Sequence, residues 1–417
     1  MKSCLTPVLI IISIASCTTC RAQKGTVLRQ DQYYTEEQGQ EELARLESMY
    51  SDSSAWEERR QLLKKSILEG MGLSPLPERT PLNARITSER TRDDYTVSNV
   101  CFESIPGFYV CGNLYRPLDT INQHPGILCP HGHFTGDTLG AYGRFRPDMQ
   151  KRCATLARMG AVVFSYNMFA FGESIRQLDT SAVIEKPVEE NIWKHHRTPL
   201  ALTMQTWSSI RVIDFLQSLP YVNPYLIGVT GASGGGTQTF LLAAVDERVS
   251  VSVPVVMVSC HFFGGCDCES GLPIHQSKDH FTNNAEITAM MAPKPLLIVS
   301  DGKDWTKTVP VLEFPFIRRT YSFYGAENNV ENVHFPDGEH DYGYEKRIPV
   351  YHFLAKHLGL NMVPVTGPDG DIDESKSTLE PAADLLSFSS THPFPANALQ
   401  GLEAIRKSME KLCVQDK

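Results

Sequence analysis

Beyond its first residues, this 417-residue chain contains no apolar run approaching the roughly 18 residues that a bilayer-spanning helix needs, so no transmembrane helix is predicted. A positive excess is also missing. The 39 Lys and Arg against 48 Asp and Glu leave a net charge of −9, and a chain without a basic face is a poor partner for nucleic acid. Eleven cysteines are too few for a disulfide scaffold, and no repeat of solenoid period is visible. What is present is an ordinary apolar share, 41%, enough to bury a core, which excludes a wholly disordered or fibrous chain. The reading is a soluble globular protein.

Residues 1–22 read as an export signal. Lys2 gives a short positive start, and Leu5 to Ala15 is apolar but too short to span. Two endings fit. Cys20-Arg21-Ala22 before Gln23 has small residues where a signal peptidase reads. Ile14-Ala15-Ser16-Cys17 has the form of a bacterial lipobox, which would leave a lipid anchor at Cys17. Either ending predicts a periplasmic or cell-surface protein. In that oxidising setting disulfides become possible; Cys101 and Cys111, on two predicted strands joined by Pro106-Gly107, could face each other as a pair or as packed thiols.

Four segments follow from the patterning: the signal at 1–22, a helical N-terminal extension at 23–96, a catalytic domain at 97–360, and an arm with a short helix at 361–417. Helical spacing without interior Pro covers residues 35–72. Val97–Ser104 and Phe108–Pro117 alternate around the Pro-Gly turn and read as an antiparallel pair. From Gly126, short apolar runs alternate with helical stretches: Gly126–Pro130, Ala161–Tyr166, Leu226–Thr230, Val249–Val258, Pro295–Ser300 and Glu331–Phe335. Nearly continuous apolar strands separated by helices imply an α/β fold, a mostly parallel central sheet with helices on both faces. Val363–Pro395, rich in Pro, Asp, Ser and Thr, reads as an arm, and Ala396–Leu412 as a terminal helix.

The sharpest chemical signal is Gly231-Ala232-Ser233-Gly234-Gly235, placed after the strand Leu226–Thr230 and before Gln238–Ala243. G-x-S-x-G between a strand and a helix is the form of a nucleophile elbow, in which a tight turn exposes the serine and tolerates only small neighbours. Partners occur in the order Ser, Asp, His. Asp301-Gly302-Lys303-Asp304-Trp305 ends one predicted strand, and Asp337-Gly338-Glu339-His340 follows the last. Asp304 is preferred as the acid because the loop must carry it toward the histidine. Asp301 remains the alternative, closer to the strand end and suited to closing the turn. His340 is preferred to His334, which lies inside a strand. Backbone N–H groups of Gly234 and of His133, in the turn His131-Gly132-His133-Phe134, are the expected oxyanion donors.

These segments resemble secreted bacterial α/β-hydrolases, nearest the dienelactone-hydrolase-like and acetyl-xylan-esterase-like carbohydrate esterases. The likeness rests on Pro106–Pro117, Cys129-Pro130-His131-Gly132-His133 and Gly228–Gln238, and covers roughly residues 97–358. Asn167-Met168-Phe169-Ala170-Phe171-Gly172-Glu173-Ser174 is similar to that fold's D-x-x-G-x-G-x-S loop, with Asn167 in place of the Asp and Ala170 in place of the first Gly. The resemblance implies the hydrolase fold, ester hydrolysis, and Ser233, Asp304 and His340 as the triad.

His261, Cys266, Cys268, Glu269, His275 and His280 lie within 20 residues and carry ligand-type side chains. Paired zinc ligands usually stand as C-x₂₋₄-C, and Cys266-Asp267-Cys268 is too short for that geometry, so no metal and no cofactor is expected. The segment reads instead as a long loop bordering the site, with Glu269 a candidate substrate contact. His195-His196-Arg197 could line the pocket or simply start a surface helix. Phe134, Trp193 and Trp305 are candidates for a sugar-stacking wall or for core packing. The expected function is a secreted serine esterase removing acyl groups, acetyl by preference, from a carbohydrate. A glucuronoyl-ester or lactone hydrolase is the near alternative. A prolyl-oligopeptidase-type peptidase would need a larger N-terminal domain, and a silent glycan-binding lipoprotein would not need the intact Ser–Asp–His order.

Overall fold

The computed structural model describes residues 34–413, apart from residue 137 and residues 270–273. The export signal and Cys17 lie outside the described residues. In chain order come α1 (Glu36–Glu47), α2 (Ser53–Gly70), β1 (Arg85–Thr91), β2 (Tyr95–Ile105), β3 (Phe108–Pro117) and β4 (His124–Pro130). Then follow α3 (Pro147–Arg158), β5 (Val162–Tyr166), α4 (Ile175–Leu178), α5 (Glu189–His196), α6 (Pro199–Ser218), β6 (Val222–Ala232) and α7 (Gly234–Val245). The chain closes with β7 (Val249–Val255), α8 (Asn284–Ala289), β8 (Leu296–Asp301), α9 (Glu313–Ser322), β9 (Val330–Phe335), α10 (Tyr344–Leu358) and α11 (Leu402–Cys413). No helix among the described residues is long and apolar enough to cross a membrane.

All nine strands join one sheet in the order β1-β2-β3-β5-β4-β6-β7-β8-β9. The β1, β2, β3 and β5 neighbours pair antiparallel, and every pairing from β5–β4 to β8–β9 is parallel. The parallel strands therefore all deliver their carboxyl ends to one edge, the place where open α/β sheets build binding sites. This is the α/β-hydrolase architecture expected from the alternating apolar runs. The Pro-Gly hairpin is also present, with Cys101 directly opposite Cys111 in register. Both are buried free thiols, packed with Tyr109 and Phe388 rather than joined.

The predicted helical stretch 35–72 is two helices. Thr35 and Gln38 form a capping box at the start of α1. Asp52 caps α2 by accepting from the N–H groups of Ser54 and Ala55, and this second start is what divides the stretch. Trp56, Leu63 and Ile67 of α2 are fully buried; the two aliphatic side chains alone contribute roughly 1.5–3 kcal/mol each. Arg59 anchors the same helix through a buried two-pronged pair with Glu286 of α8, at 2.9 and 2.8 Å. At Gly39 of α1 a Cβ would stand 2.8 Å from Cys260 Sγ, so only glycine lets that helix press on the loop after β7.

Within residues 23–96, expected to be a helical extension, the structure has a strand, β1. Its residues Arg85–Thr91 are polar and mostly exposed, and only pairing with β2 makes them a strand. The arm is tied to the antiparallel strands and to α10. Arg92 forks Glu380 at 2.7 and 2.8 Å, Arg347 forks Glu374 at 2.8 and 2.6 Å, and Asn99 donates to the carbonyls of Asp384 and Leu386.

Candidate functional site

Ser233 occupies the single residue between β6 and α7, with φ 56° and ψ −127°. For a non-glycine residue that conformation costs on the order of 1–3 kcal/mol, and the surroundings hold it. Its N–H donates to Val255 O at 3.1 Å, and its carbonyl accepts the first helical bond from Thr237 N–H at 3.0 Å. The neighbouring glycines are required by crowding. A Cβ at Gly231 or Gly235 would lie 2.5 or 2.4 Å from Pro130 O at the end of β4. A Cβ at Gly132 would lie 3.0 Å from Ser233 Cβ, which places the turn after β4 directly against the serine.

His340 follows β9 and Asp304 follows β8, so parallel neighbours bring them to the same edge. Their contact is short, His340 Nδ1 to Asp304 Oδ2 at 2.6 Å, with the Asp304 side chain 3% exposed and His340 27%. Oδ1 of Asp304 accepts from Thr306 twice, from N–H and from Oγ1, each at 2.6 Å. Burial opposes the charge on Asp304, but the hydrogen bonds from His340 and Thr306 outweigh it and hold the carboxyl below its usual value. Asp301 sits deeper. It is fully buried, 3.2 Å from Lys346 Nζ, and is pushed up to about 6 by burial first and by Asp304 second. His334 turns to Ser300 Oγ at 2.9 Å.

Phe134 and Trp305 both neighbour His340, with ring centroids at 6.1 and 4.5 Å; Trp305 also packs, tilted, on Phe262 at 4.0 Å. Arg146 lies over the Phe134 ring at 4.8 Å and pairs with Asp148 at 2.9 Å. The side chain of Trp193 lies outside the described residues. His131 is buried and spans two backbone groups: Nδ1 faces Gly132 O at 2.8 Å and Nε2 accepts from Met168 N–H at 3.1 Å. Burial keeps it neutral, lowering it to about 3.

Over Gly234 lie two side chains. A Cβ there would meet His133 Cε1 at 2.6 Å and Glu269 Oε1 at 2.9 Å. Glu269 is buried, its Oε1 3.3 Å from His133 Nδ1 and its Oε2 accepting from Gly265 N–H at 2.7 Å. Behind them, Cys266 and Cys268 are joined as a disulfide beside His133 and His196. His196, read from sequence as a pocket liner or a surface helix start, is instead fully buried at the end of α5.

Sequence reasoning missed the ionic centre below this loop. Arg144 forks Glu173 with both bonds at 2.9 Å and neither side chain exposed. Asn167 lies between them, accepting from Arg144 Nε at 2.7 Å and donating to Glu173. The replacement of the loop's Asp by Asn167 was the available signal: a second carboxylate there would have left one Arg144 facing two negative charges.

With this geometry, the chain can be set beside known proteins. A family model described as "Glucuronyl esterase, fungi" matches residues 180–261. A 4-O-methyl-glucuronoyl methylesterase of Phanerochaete carnosa is 26% identical over 207 residues, 48% of this chain and 44% of that protein. YtaP of Bacillus subtilis, named as a hydrolase, is 25% identical over 194 residues, 43% of this chain and 59% of that protein. The chain thus spans about half the length of these curated relatives. Among solved structures, a glucuronoyl esterase from Solibacter usitatus shares the fold, with TM-score 0.51, 15% identity, and coverage of 74% and 94% of the two chains. The methylesterase BT1017 is 39% identical with TM-score 0.79, over 91% of this chain and 81% of that one. On that likeness and a shared sheet, the chain belongs to the family of α/β carbohydrate esterases that includes methylesterase BT1017.

Proposed function

We propose that the protein is a serine carboxylic-ester hydrolase acting on a carbohydrate, with Ser233 as nucleophile, His340 as base and Asp304 as the acid that orients it. The observation that carries this reading is the 2.6 Å His340–Asp304 pair on the same sheet edge as a serine held in a strained strand-to-helix turn. Ser233 Oγ attacks the ester carbonyl as His340 takes its proton. Asp304 keeps the imidazole's Nδ1–H fixed and stabilises the imidazolium. The N–H groups of Gly234 and His133 receive the developing oxyanion, and the alcohol leaves with the proton from His340. Water then attacks the acyl-enzyme by the same route in reverse.

The ester is that of a sugar acid, most simply its methyl ester, so that the released alcohol is methanol. This reading is supported by the methylesterase relative at 39% identity and by the glucuronoyl methylesterase relative. Arg146, which lies over the Phe134 ring that neighbours His340 and is paired with Asp148, is the cation we assign to the carboxylate product. Phe134 and Trp305 offer flat apolar faces for a sugar ring. The acetyl preference expected from the sequence becomes the competing outcome of one assay. Methanol and acetate release are measured on methyl-esterified and acetylated uronate oligosaccharides, with the Ser233→Ala variant as control. Methanol release that vanishes in the variant is expected; acetate release alone would overturn the substrate, and activity surviving in the variant would overturn the mechanism. Export through residues 1–22 belongs to the same proposal, and the mature N-terminus should be Gln23 or a lipidated Cys17.

A further inference from the structure

Beside the proposed oxyanion loop, four ligand-type side chains converge, His133 partly buried and His196, Cys266 and Cys268 buried, with their ligand atoms all within 4.8 Å of one another. They arrive from three separate segments, the turn after β4, the last residue of α5 and the loop after β7. The sulfur-to-nitrogen distances are 3.9 and 3.9 Å from Cys266 to His133 Nε2 and His196 Nδ1, and 3.2 and 3.3 Å from Cys268 to the same atoms. A tetrahedral zinc with bonds of ~2.3 Å to sulfur and ~2.0–2.1 Å to nitrogen has sulfur–nitrogen edges of roughly 3.6 Å, in the middle of that range.

The outer contacts carry the argument further. His196 Nε2 faces Phe169 O at 2.5 Å, so its proton sits there and the Nδ1 lone pair points at the sulfurs. His133 Nδ1 faces Glu269 Oε1 at 3.3 Å, so its proton sits there and the Nε2 lone pair points at the same sulfurs. A carbonyl on one imidazole and a carboxylate on the other are the supports that metal-bound histidines commonly have, and they fix the tautomer that can ligate. Two thiolates and two neutral imidazoles around a divalent cation sum to zero charge, which suits a site this buried.

We infer that His133, His196, Cys266 and Cys268 form a tetrahedral site for a divalent, thiolate-preferring metal ion, zinc by chemistry, when the two cysteines are reduced. Loading starts from the dithiol. Two S–H bonds break, two protons go to water, two sulfur–metal bonds form, and no electron is transferred. The disulfide between Cys266 and Cys268 is the oxidised state of the same pair; an external dithiol reductant, itself becoming a disulfide, supplies the two electrons and two protons that return it to two thiols. The C-x-C spacing that argued against zinc is accommodated because the remaining two ligands come from distant segments rather than from a second local pair. Four protein ligands close the coordination sphere, so the metal braces the structure and does not activate water. Its effect on the site runs through His133: holding that imidazole fixes the backbone whose N–H serves as an oxyanion donor in the reading above.

Metal content is read without activity, in the full-length chain carrying Ser233→Ala, so failure here is separate from failure of the esterase mechanism. Protein prepared with reductant and Zn²⁺ alone should carry one equivalent by elemental analysis, with Cys266 and Cys268 alkylated only after chelation or unfolding. Co²⁺ in its place should give visible d–d bands and thiolate charge transfer. Glu269→Gln should weaken Zn²⁺ binding about 10–100-fold, and Cys268→Ser should abolish stoichiometric binding. His196→Ala should likewise lose stoichiometric Zn²⁺; if it does not fold, Cys268→Ser, checked by its circular dichroism melt, serves instead. Substoichiometric zinc in the reduced protein would overturn the inference. So would a Cys268→Ser variant that binds as tightly as its parent.

Discussion

Replacing Asp304 by Asn tests the site at its most specific contact. Thr306 donates twice to Oδ1, from its N–H and its hydroxyl, while Oδ2 faces His340 Nδ1. An asparagine at this position keeps its carbonyl toward the two Thr306 donors and therefore turns its NH₂ toward His340. That NH₂ can only donate, so Nδ1 must become the acceptor and the ring proton moves to Nε2. The histidine then presents an N–H where the proposed nucleophile Ser233 needs a base. The loss should be about 10⁴-fold in kcat, as tautomer inversion costs in other serine hydrolases, or about 5 kcal/mol of barrier. Steady-state kinetics on a chromogenic ester measures it, and ¹⁵N NMR of the His340 ring reports the tautomer. Asp301→Asn is the matched control, since Asp301 faces Lys346 and should alter kcat less than tenfold. An Asp304→Asn enzyme within tenfold of its parent would refute the reasoning, as would an Asp301→Asn enzyme equally impaired.

Further outcomes follow from strain, buried charge and titration. Ser233→Gly removes the proposed nucleophile and relieves a positive φ, so denaturant melts should show a gain of about 1 kcal/mol while esterase activity disappears. Arg144→Met leaves Glu173 buried without its cation and should cost about 3–5 kcal/mol in the same melts, with the Arg144→Met/Glu173→Gln double variant losing less than the two single changes together. Asp301 holds its proton to about pH 6 when folded, against about 3.9 in an unfolded chain, so the folded state binds more protons between those values. Its contribution to stability therefore falls as pH rises through that window. Asp301→Asn should gain stability relative to its parent at pH 7, and that advantage should fade below pH 4.

Much of the fold was legible because its parallel strands are buried on both sides, which writes each as a continuous apolar run. Leu226–Thr230 and Pro295–Ser300 mark β6 and β8 in this way. β1 carries no such mark, since its polar residues become a strand only through the partner they pair with. The turn at Ser233 and the Asp304–His340 pair were readable because each of these residues follows a recognisable strand. What joins distant segments left little trace. Nothing local in Cys266-Asp267-Cys268 announces two histidines 70 or more residues earlier, and Arg144, Asn167 and Glu173 meet only after the loops around them have closed.

That ionic centre has a consequence for the order in which the chain can mature. Arg144 also donates to Leu385 O, and Glu173 Oε1 accepts from Ser387 N–H at 2.9 Å, so the arm supplies part of its solvation. A ribosome delivers Arg144 and Glu173 more than 200 residues before Leu385. At roughly 5–20 residues per second, the pair waits ten seconds or more for its last partners. Until then water must do the work of the arm, which keeps the loop after β5 hydrated beside the nascent site. The polar residues 363–395, which read in sequence as an arm, thus complete the solvation of an ion pair set far upstream, and that pair is fully satisfied only once the arm has been made and docked.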